Sequence, residues 1–522
     1  MITLPPTPAS GAVPDPNGFQ PAWRVLNDPL LHHAGHHADD VALRFEARAF
    51  TYGKLARRVE RASARLWQEW GVRPGDRVAW LGLNHPDQLT LLFALARIGA
   101  MLVPLNFRLA SAEWQAVLAD CTPVGLLHDA TWADAAQSLA YAAGLPAHAI
   151  DTLIATPAPG DSPAHAAPDS PALLVYTSGT TGLPKGAVHT QANLLANMAA
   201  ASETQALTAA DQVLTVLPLF HVGGLCIQTL PALYAGATVL LHARFDAGAA
   251  LDAIVRQRPT LTLQVPATMK ALTEHPAWMS TDLSCLRAVW AGSSTLPAAL
   301  VQTFLSRGVA LCNVYGATET GPFSIALGPA HAASHIGGCG WPAPGVEVRL
   351  ADVRDGVGEL LLRAPNVVRR YWPDVPAVDA EGWFHSGDLA RQAADGSYTV
   401  VGRAKDMVIS GGENIYPAEI EHLLASHPAV ADCAVLGLPD AQWGEKLVAV
   451  VVLKHQNGHN PAWDGHESLS NWESALTGYL RERLARYKLP RRWVFVEALP
   501  RTALGKVQKA ALARQLGPDP AA

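Results

Sequence analysis

The sequence predicts an α/β protein: a large amino-terminal body of mixed, mostly parallel sheets covered by helices, then a small α+β carboxy-terminal unit. Three observations support this. Segments with helical spacing of apolar residues alternate with short apolar runs over most of the chain, the βα repetition that builds parallel sheets. After about residue 402 that rhythm breaks, and strand, Gly-Gly turn and helix follow in a compact run. Apolar residues make up 49% of the 522 and charged residues 16%. That supplies core material for roughly two to four domains and leaves little scope for disorder.

Taken in order, Leu55 to Trp70 has the apolar spacing of a helix, and Arg77 to Leu83 reads as a strand after Gly75. QLTLLFALARIGAM (88–101) predicts helix and LVPLN (102–106) strand. Residues 155–171 form a Pro- and Ala-rich linker that delivers the chain to a strand, ALLVY (172–176). The helix–strand pair returns at LDAIVRQRPTLTLQVP (251–266) and AALVQTFLSRGVALCNVYG (298–316). Past residue 402, DMVISGGENIYPAEIEHLLASHP predicts a strand, a turn and a helix begun near Pro417, a residue favoured in a first turn. Strands are expected at VADCAVLGL (430–438) and KLVAVVVL (446–453), then a surface insertion over 455–472 and a last helix.

Several functional classes are disfavoured. The net charge of −6 gives no electrostatic reason to expect nucleic acid or an anionic membrane as a partner. The six cysteines lie far apart with no C-x-x-C pair, so they read as buried thiols of a reducing compartment, and the cytoplasm is expected. The first residues carry prolines and no apolar run flanked by positive charge, so no signal peptide is expected. Val213 to Leu241 is free of formal charge over the length of a membrane span. Pro218, His221, Gly223, Gly224, Gln228 and Pro231 interrupt it, so buried strand, turn and helix fit better than an integral membrane segment.

The strand ALLVY runs straight into YTSGTTGLPKG (176–186), where three glycines and five hydroxyl side chains, counting Tyr176, accompany one lysine. Glycine lets a ligand approach the main chain, and exposed N–H groups, hydroxyls and an ammonium suit a polyphosphate. The Walker pattern does not fit, because Pro184 precedes Lys185 and Gly186 stands where Ser or Thr would hold magnesium. Phosphate is bound by another design.

Four further motifs follow this loop: YGATETG (315–321), GWFHSGDLA (382–390), GRAKDMVISGGENIYPAEIE (402–421) and LPRTALGKVQK (499–509). In that order the five resemble the signature of adenylate-forming enzymes, over roughly residues 30 to 515. This superfamily includes acyl-CoA synthetases, nonribosomal-peptide adenylation domains and beetle luciferases. The resemblance implies ATP, Mg2+ and coenzyme A, and two half-reactions: a carboxylate attacks the α-phosphate of ATP to give acyl-AMP, then a thiol displaces AMP.

The resemblance also implies roles. Thr177, Ser178, Gly179, Thr180, Thr181, Gly182 and Lys185 would surround the β- and γ-phosphates; Glu319 would be the magnesium ligand, with Thr318 bonding the phosphate beside it. Asp388 would accept the ribose hydroxyls and Arg403 reach the ribose and phosphate side. Tyr315 and Gly316, the stretch Gly292, Ser293, Ser294, and Asn313 would form the adenine slot. Lys506 would place a cation where negative charge develops in the adenylation transition state. A mobile carboxy-terminal domain, 405–522, would pivot on the hinge Lys405 against the body, 1–404, presenting first Lys506 and then a CoA channel lined by Gly411 and Gly412. Trp443 and the run Tyr487 to Arg492 resemble segments that hold the nucleotide of CoA.

His221, in PLFHVGG, matches a residue at the mouth of the acyl pocket, and its neighbours Val222, Gly223, Gly224, Ala291, Gly316, Ala317 and Gly321 are mostly small. Small linings leave volume for a sizeable apolar acid, either a medium-to-long fatty acid or an aryl or cinnamic acid. The expected partners are therefore a small-molecule carboxylic acid, ATP and CoA, with no nucleic acid and a homodimer left open. Two alternatives differ in class: a luciferase-like oxidative adenylating enzyme, and a non-catalytic acyl- or nucleotide-binding relative. The second would be expected to lack Glu319 or Lys506, and both are present.

Overall fold

The computed structural model describes residues 21–154, 164–177, 185–292, 296–410, 413–440, 443–454, 469–484, 486–502 and 505–517. The helix Tyr52–Gln68 forms where apolar spacing predicts one, capped by Thr51, whose hydroxyl accepts the Lys54 amide N–H. Leu55, Val59, Ala62 and Leu66 recur on its inner face and are buried. The helix Pro86–Ile98 starts at a proline and stops at Gly99, which takes a left-handed φ of 85°. It is buried nearly all round, and its apolar residues outnumber the buried Asp87, Gln88 and Thr90.

Two large sheets form the body. One has eight strands, with Ala147–Ala149, Gly125–His128, Arg77–Leu81, Met101–Pro104 and Pro171–Thr177 running parallel. Lys185–Thr190 then returns antiparallel to Pro171–Thr177. The other has nine strands; Leu311–Tyr315, Ala288–Ala291, Leu261–Gln264, Gln212–Thr215, Thr238–Leu241 and Val41–Phe45 are its parallel centre, and its edges are antiparallel. Trp80, Trp290, Tyr52, Phe93, Phe304 and Phe323 are the largest aromatic side chains fully buried in this body. All six cysteines are free thiols.

The uncharged stretch 213–241 resolves into strand, turn, helix and strand, as expected. Its helix contains a π-turn, Leu225–Thr229, directly after His221 and the two glycines. Among the described residues no helix is long and apolar enough to cross a membrane.

A third sheet lies outside the sequence expectation. Glu347–Arg354, Val357–Arg363, Phe384–Gln392 and Tyr398–Arg403 form a wholly antiparallel four-stranded layer. The last sheet is built from Val408–Ser410, Glu413–Ile415, Val430–Asp440, Gly444–Leu453 and Arg492–Phe495, with the helix Pro417–Ala425 packed against it. The insertion expected over 455–472 ends earlier on the carboxy side, because the helix Leu469–Arg481 begins there; 455–468 lie outside the described residues.

Two buried asparagines tie the loop 316–323 to its surroundings. Asn366 donates to the carbonyls of Thr320 (2.6 Å) and Phe323 (3.2 Å). Asn197 accepts from the Phe323 amide (3.0 Å) and donates to the Cys226 carbonyl (2.7 Å) inside the π-turn. Each pairs main-chain groups that have no water to turn to, so losing the side chain leaves them unsatisfied. Asn197→Leu is expected to lower unfolding free energy by about 2–4 kcal/mol. Urea denaturation checks this, and a midpoint within error of the parent would show the brace to be dispensable.

Candidate active site

The strand Pro171–Thr177 ends at the mouth of the glycine loop, and Lys185 opens the returning strand. Ser178, Gly179, Thr180, Thr181 and Gly182 lie outside the described residues, as do Ser293, Ser294, Gly411 and Gly412. The Thr177 hydroxyl donates to the Lys185 carbonyl (3.4 Å) across the base of the loop. The exposed Lys185 ammonium stands 5.3 Å from the centroid of the Tyr371 ring. A Cβ at Gly186 would lie 2.8 Å from Leu174 Cδ1 and 3.1 Å from Tyr176 Cζ, so those side chains would have to shift.

Tyr371 leads to the acid. Its hydroxyl donates to Glu319 Oε1 at 2.9 Å, and burial followed by the Glu319 charge holds its proton firmly. Thr318 and Glu319 sit in a single 3-10 turn, Thr318–Thr320, held by the Thr320 hydroxyl on the Ala317 amide (2.9 Å) and by the Val368 amide on the Glu319 carbonyl (2.8 Å). Tyr371 was missed by sequence reasoning.

The ribose-side candidates are paired. Asp388 and Arg403 face each other in register on adjacent antiparallel strands. Arg403 Nε lies 2.7 Å from Asp388 Oδ1, while the Tyr315 hydroxyl donates to Oδ2 at 2.7 Å. Burial, then the Asp388 charge, pushes the Tyr315 phenol well up, so it remains a donor. Asn313, on the same strand as Tyr315, donates to the Gly338 carbonyl (3.0 Å). Next to it, Gly292 ends the strand Ala288–Ala291, and a Cβ there would crowd Val314 Cγ1 (3.2 Å) and Ile227 Cδ1 (3.4 Å). Gly316 is stricter, since a Cβ would lie 1.6 Å from the Pro322 carbonyl oxygen.

His221 caps the helix that carries the π-turn. Its Nδ1 accepts the Gly223 amide N–H (3.0 Å), which leaves any ring proton on Nε2. Burial, with the Lys506 charge adding to it, pushes its pKa down to about 4, so the ring is neutral at pH 7.

Lys506 comes from the carboxy-terminal sheet unit, its amide bonded to the Thr502 hydroxyl (3.2 Å) and its carbonyl to the Thr502 amide (2.8 Å). Gly505, before it, takes a left-handed φ of 81°. The Lys506 side chain is exposed, yet nearby protein atoms displace part of its hydration. That desolvation lowers its pKa; Arg403 adds to the effect, Asp388 and Glu319 oppose it, and Lys405 lowers it slightly. Lys506 thus lies within electrostatic reach of Arg403, Asp388, Glu319 and His221. Lys405 lies beside it in the exposed turn Ala404–Asp406.

Trp443 lies elsewhere in the carboxy-terminal unit, its ring under the Arg491 guanidinium at 3.7 Å. In the run Tyr487 to Arg492, Lys488 is held by both oxygens of Glu419 (2.7 and 2.9 Å), while Tyr487 is exposed.

An acid on one strand pair, a second acid in a tight turn and a lysine from the carboxy-terminal unit suit a nucleotide-dependent acyl-activating enzyme. Comparison with known proteins agrees. The AMP-binding enzyme family matches residues 30–372, and the AMP-binding enzyme C-terminal domain matches 419–506. The indoleacetate–CoA ligase of Aromatoleum aromaticum is 43% identical over 93% of this chain and 96% of its own. The feruloyl-CoA synthase of an Amycolatopsis species is 42% identical over 95% of this chain and 99% of its own. Among solved structures, the o-succinylbenzoate CoA synthetase of Bacillus subtilis, in complex with its acyl-adenylate intermediate, superposes with a TM-score of 0.82. It is 30% identical and covers 94% of this chain and 98% of its own. The chain belongs to the AMP-binding enzyme family, within its acid–CoA ligases.

Asp388→Asn removes the charge that Arg403 and Tyr315 share. Charge-assisted bonds are about twice as strong as neutral ones, so ATP affinity is expected to fall roughly tenfold or more. Calorimetric titration with ATP checks this; unchanged affinity would place the nucleotide elsewhere.

Proposed function

We propose that this chain condenses an aryl-bearing carboxylic acid with CoA at the expense of ATP, through an acyl-AMP intermediate. The observation that carries the reading is the Lys506 ammonium, brought by one unit into the field of Asp388, Glu319 and Arg403 on the other. In the first step a carboxylate oxygen attacks the α-phosphorus and pyrophosphate leaves. Negative charge accumulates on the phosphoryl oxygens, and a fixed cation there lowers the barrier. In the second, the CoA sulfur attacks the acyl carbonyl carbon and AMP leaves.

The described residues suit the cofactors. The Glu319 carboxylate offers magnesium a hard oxygen ligand, held from behind by Tyr371; the ion would neutralise phosphate charge. Asp388, with Tyr315 and Arg403 on its two oxygens, suits a ribose. Thr177, Lys185 and the loop they bracket would hold the outer phosphates, with Thr318 beside them and Asn313, Gly292 and Gly316 lining the base. His221, neutral and fixed by its own helix, closes the acyl pocket without adding a charge that would hold the acid in its ground state. The unit from Lys405 onward would act as a lid, with Trp443 beside the nucleotide of CoA. The free thiols fit the reducing cytoplasm, where ATP and CoA are held.

An aryl acid is favoured over a fatty acid because the relatives named for indoleacetate and ferulate are 43% and 42% identical, whereas a long-chain fatty-acid–CoA ligase of Mycobacterium tuberculosis is 32% identical. A panel of indoleacetate, ferulate, benzoate, octanoate and palmitate, assayed for pyrophosphate release with and without CoA, tests this. An aryl acid is expected to give a kcat/KM at least about tenfold above either alkanoate. A preference for palmitate would overturn the aryl reading, and ATP consumption independent of any acid would overturn the reaction class.

Lys506→Ala is expected to slow acyl-AMP formation by about 10²–10³-fold while supplied acyl-AMP still reacts with CoA. Equal loss in both assays would contradict the division of labour. Because its pKa is lowered in the fold, Lys506 loses its charge as pH rises, below the usual lysine value of 10.5. Adenylation is therefore expected to fall on the alkaline side below pH 10.5, and Lys506→Arg to move that limb upward.

A further inference from the structure

We propose that a basic groove at the start of the first long helix is a second binding site, fitted to a multiply charged phosphate anion. The groove is a hollow of about 430 Å³ lined by Arg48, Phe50, Lys54, Arg57, Arg58 and Arg61. None of these residues belongs to the cleft around Lys506. Lys54, Arg57, Arg58 and Arg61 recur at i, i+3, i+4 and i+7 on Tyr52–Gln68, which puts four cations on one face of one helix. Like charges one turn apart oppose the helix that carries them. Their concentration here runs against the chain's net charge of −6.

Counter-charges within the protein are few. Arg58 bonds to the buried Asp87 carboxylate. The side chains of Lys54, Arg57 and Arg61 make no ion pair or hydrogen bond among the described residues, and Glu46 and Glu60, close in sequence, pair with none of them. Phe50 arranges the rest: the Arg48 and Arg58 guanidinium groups lie 5.9 and 5.0 Å from its ring centroid. Guanidinium groups set against an aromatic ring give up little freedom when they donate in pairs to phosphate oxygens.

The stripe from Lys54 to Arg61 covers two helical turns, about 10 Å at 1.5 Å per residue. A single orthophosphate spans too little of it to engage all four cations. A polyphosphate chain, or adjoining phosphate headgroups at an anionic lipid surface, presents phosphoryl oxygens along that length. The shared chemistry is the phosphate row, and the two sources are separable by experiment.

The test compares the full chain with an Arg57→Glu/Arg61→Glu variant, using two probes. One is inorganic tripolyphosphate, titrated by calorimetry; the other is sedimentation with vesicles of phosphatidylglycerol against vesicles of phosphatidylcholine. ATP-dependent pyrophosphate release should be unchanged in the variant, which shows that it is folded. The parent is expected to bind tripolyphosphate at one site more than the variant does, or phosphatidylglycerol vesicles at least tenfold more tightly, and to lose either on raising salt. Tripolyphosphate alone identifies a soluble anion, and the vesicles a headgroup surface; either supports the site. Equal binding of both probes by parent and variant would overturn it, as would binding that salt does not weaken. Should the double variant fail to fold, Arg57→Gln/Arg61→Gln repeats the comparison without reversing charge.

Discussion

The pairing of Asp388 with two donors and a nearby lysine is the interaction on which the cleft depends. A carboxylate this buried needs partners, and Arg403 and Tyr315 take one oxygen each. Those partners come from different sheets: Arg403 from the antiparallel layer, Tyr315 from the parallel centre of the nine-stranded sheet. Asp388 therefore sutures two layers at the point where a third unit delivers Lys506. Removing the charge would slacken that joint as well as alter the cleft's field.

Behind it stands a polar support that is unusual for a core. Asn197 and Asn366 hold the loop bearing Glu319, and Asn197 also reaches the π-turn after His221. Gln205 donates to the Ile227 carbonyl (2.8 Å) and accepts from Gln228 (2.8 Å), so the same turn is secured from a second side. A π-turn widens the helical spiral and frees main-chain groups that an α-helix would pair internally. Amide side chains on the helix Gln191–Thr204 and just beyond it satisfy them. Through Asn197, the loop bearing Glu319 and the π-turn are thereby tied to one helix.

Much of this was legible in the sequence because the relevant signals are local. Helices such as Tyr52–Gln68 and Pro86–Ile98 follow from spacing and caps; strand followed by glycine loop places Lys185; short motifs mark Glu319, Asp388, Arg403 and Lys506. The antiparallel layer was not legible. Its strands carry register shifts at Ala351/Arg354 and Glu359/Leu361, and Asp352 and Asp355 take positive φ, so the two-residue alternation is broken where it would have been read. Tyr371 was hidden for another reason: it meets Glu319 from 52 residues away, a contact that only chain packing creates.

Arg403 and Lys506 differ in how they are tethered. Arg403 closes a strand of the body, immediately before the exposed turn Ala404–Asp406, whereas Lys506 lies beyond that turn. Swinging the terminal unit about the turn would leave the guanidinium on its carboxylate and carry the ammonium off. With that motion the site would keep one positive charge and lose the other. An anionic leaving group would then feel its hold weaken during the swing, so departure and rearrangement would coincide.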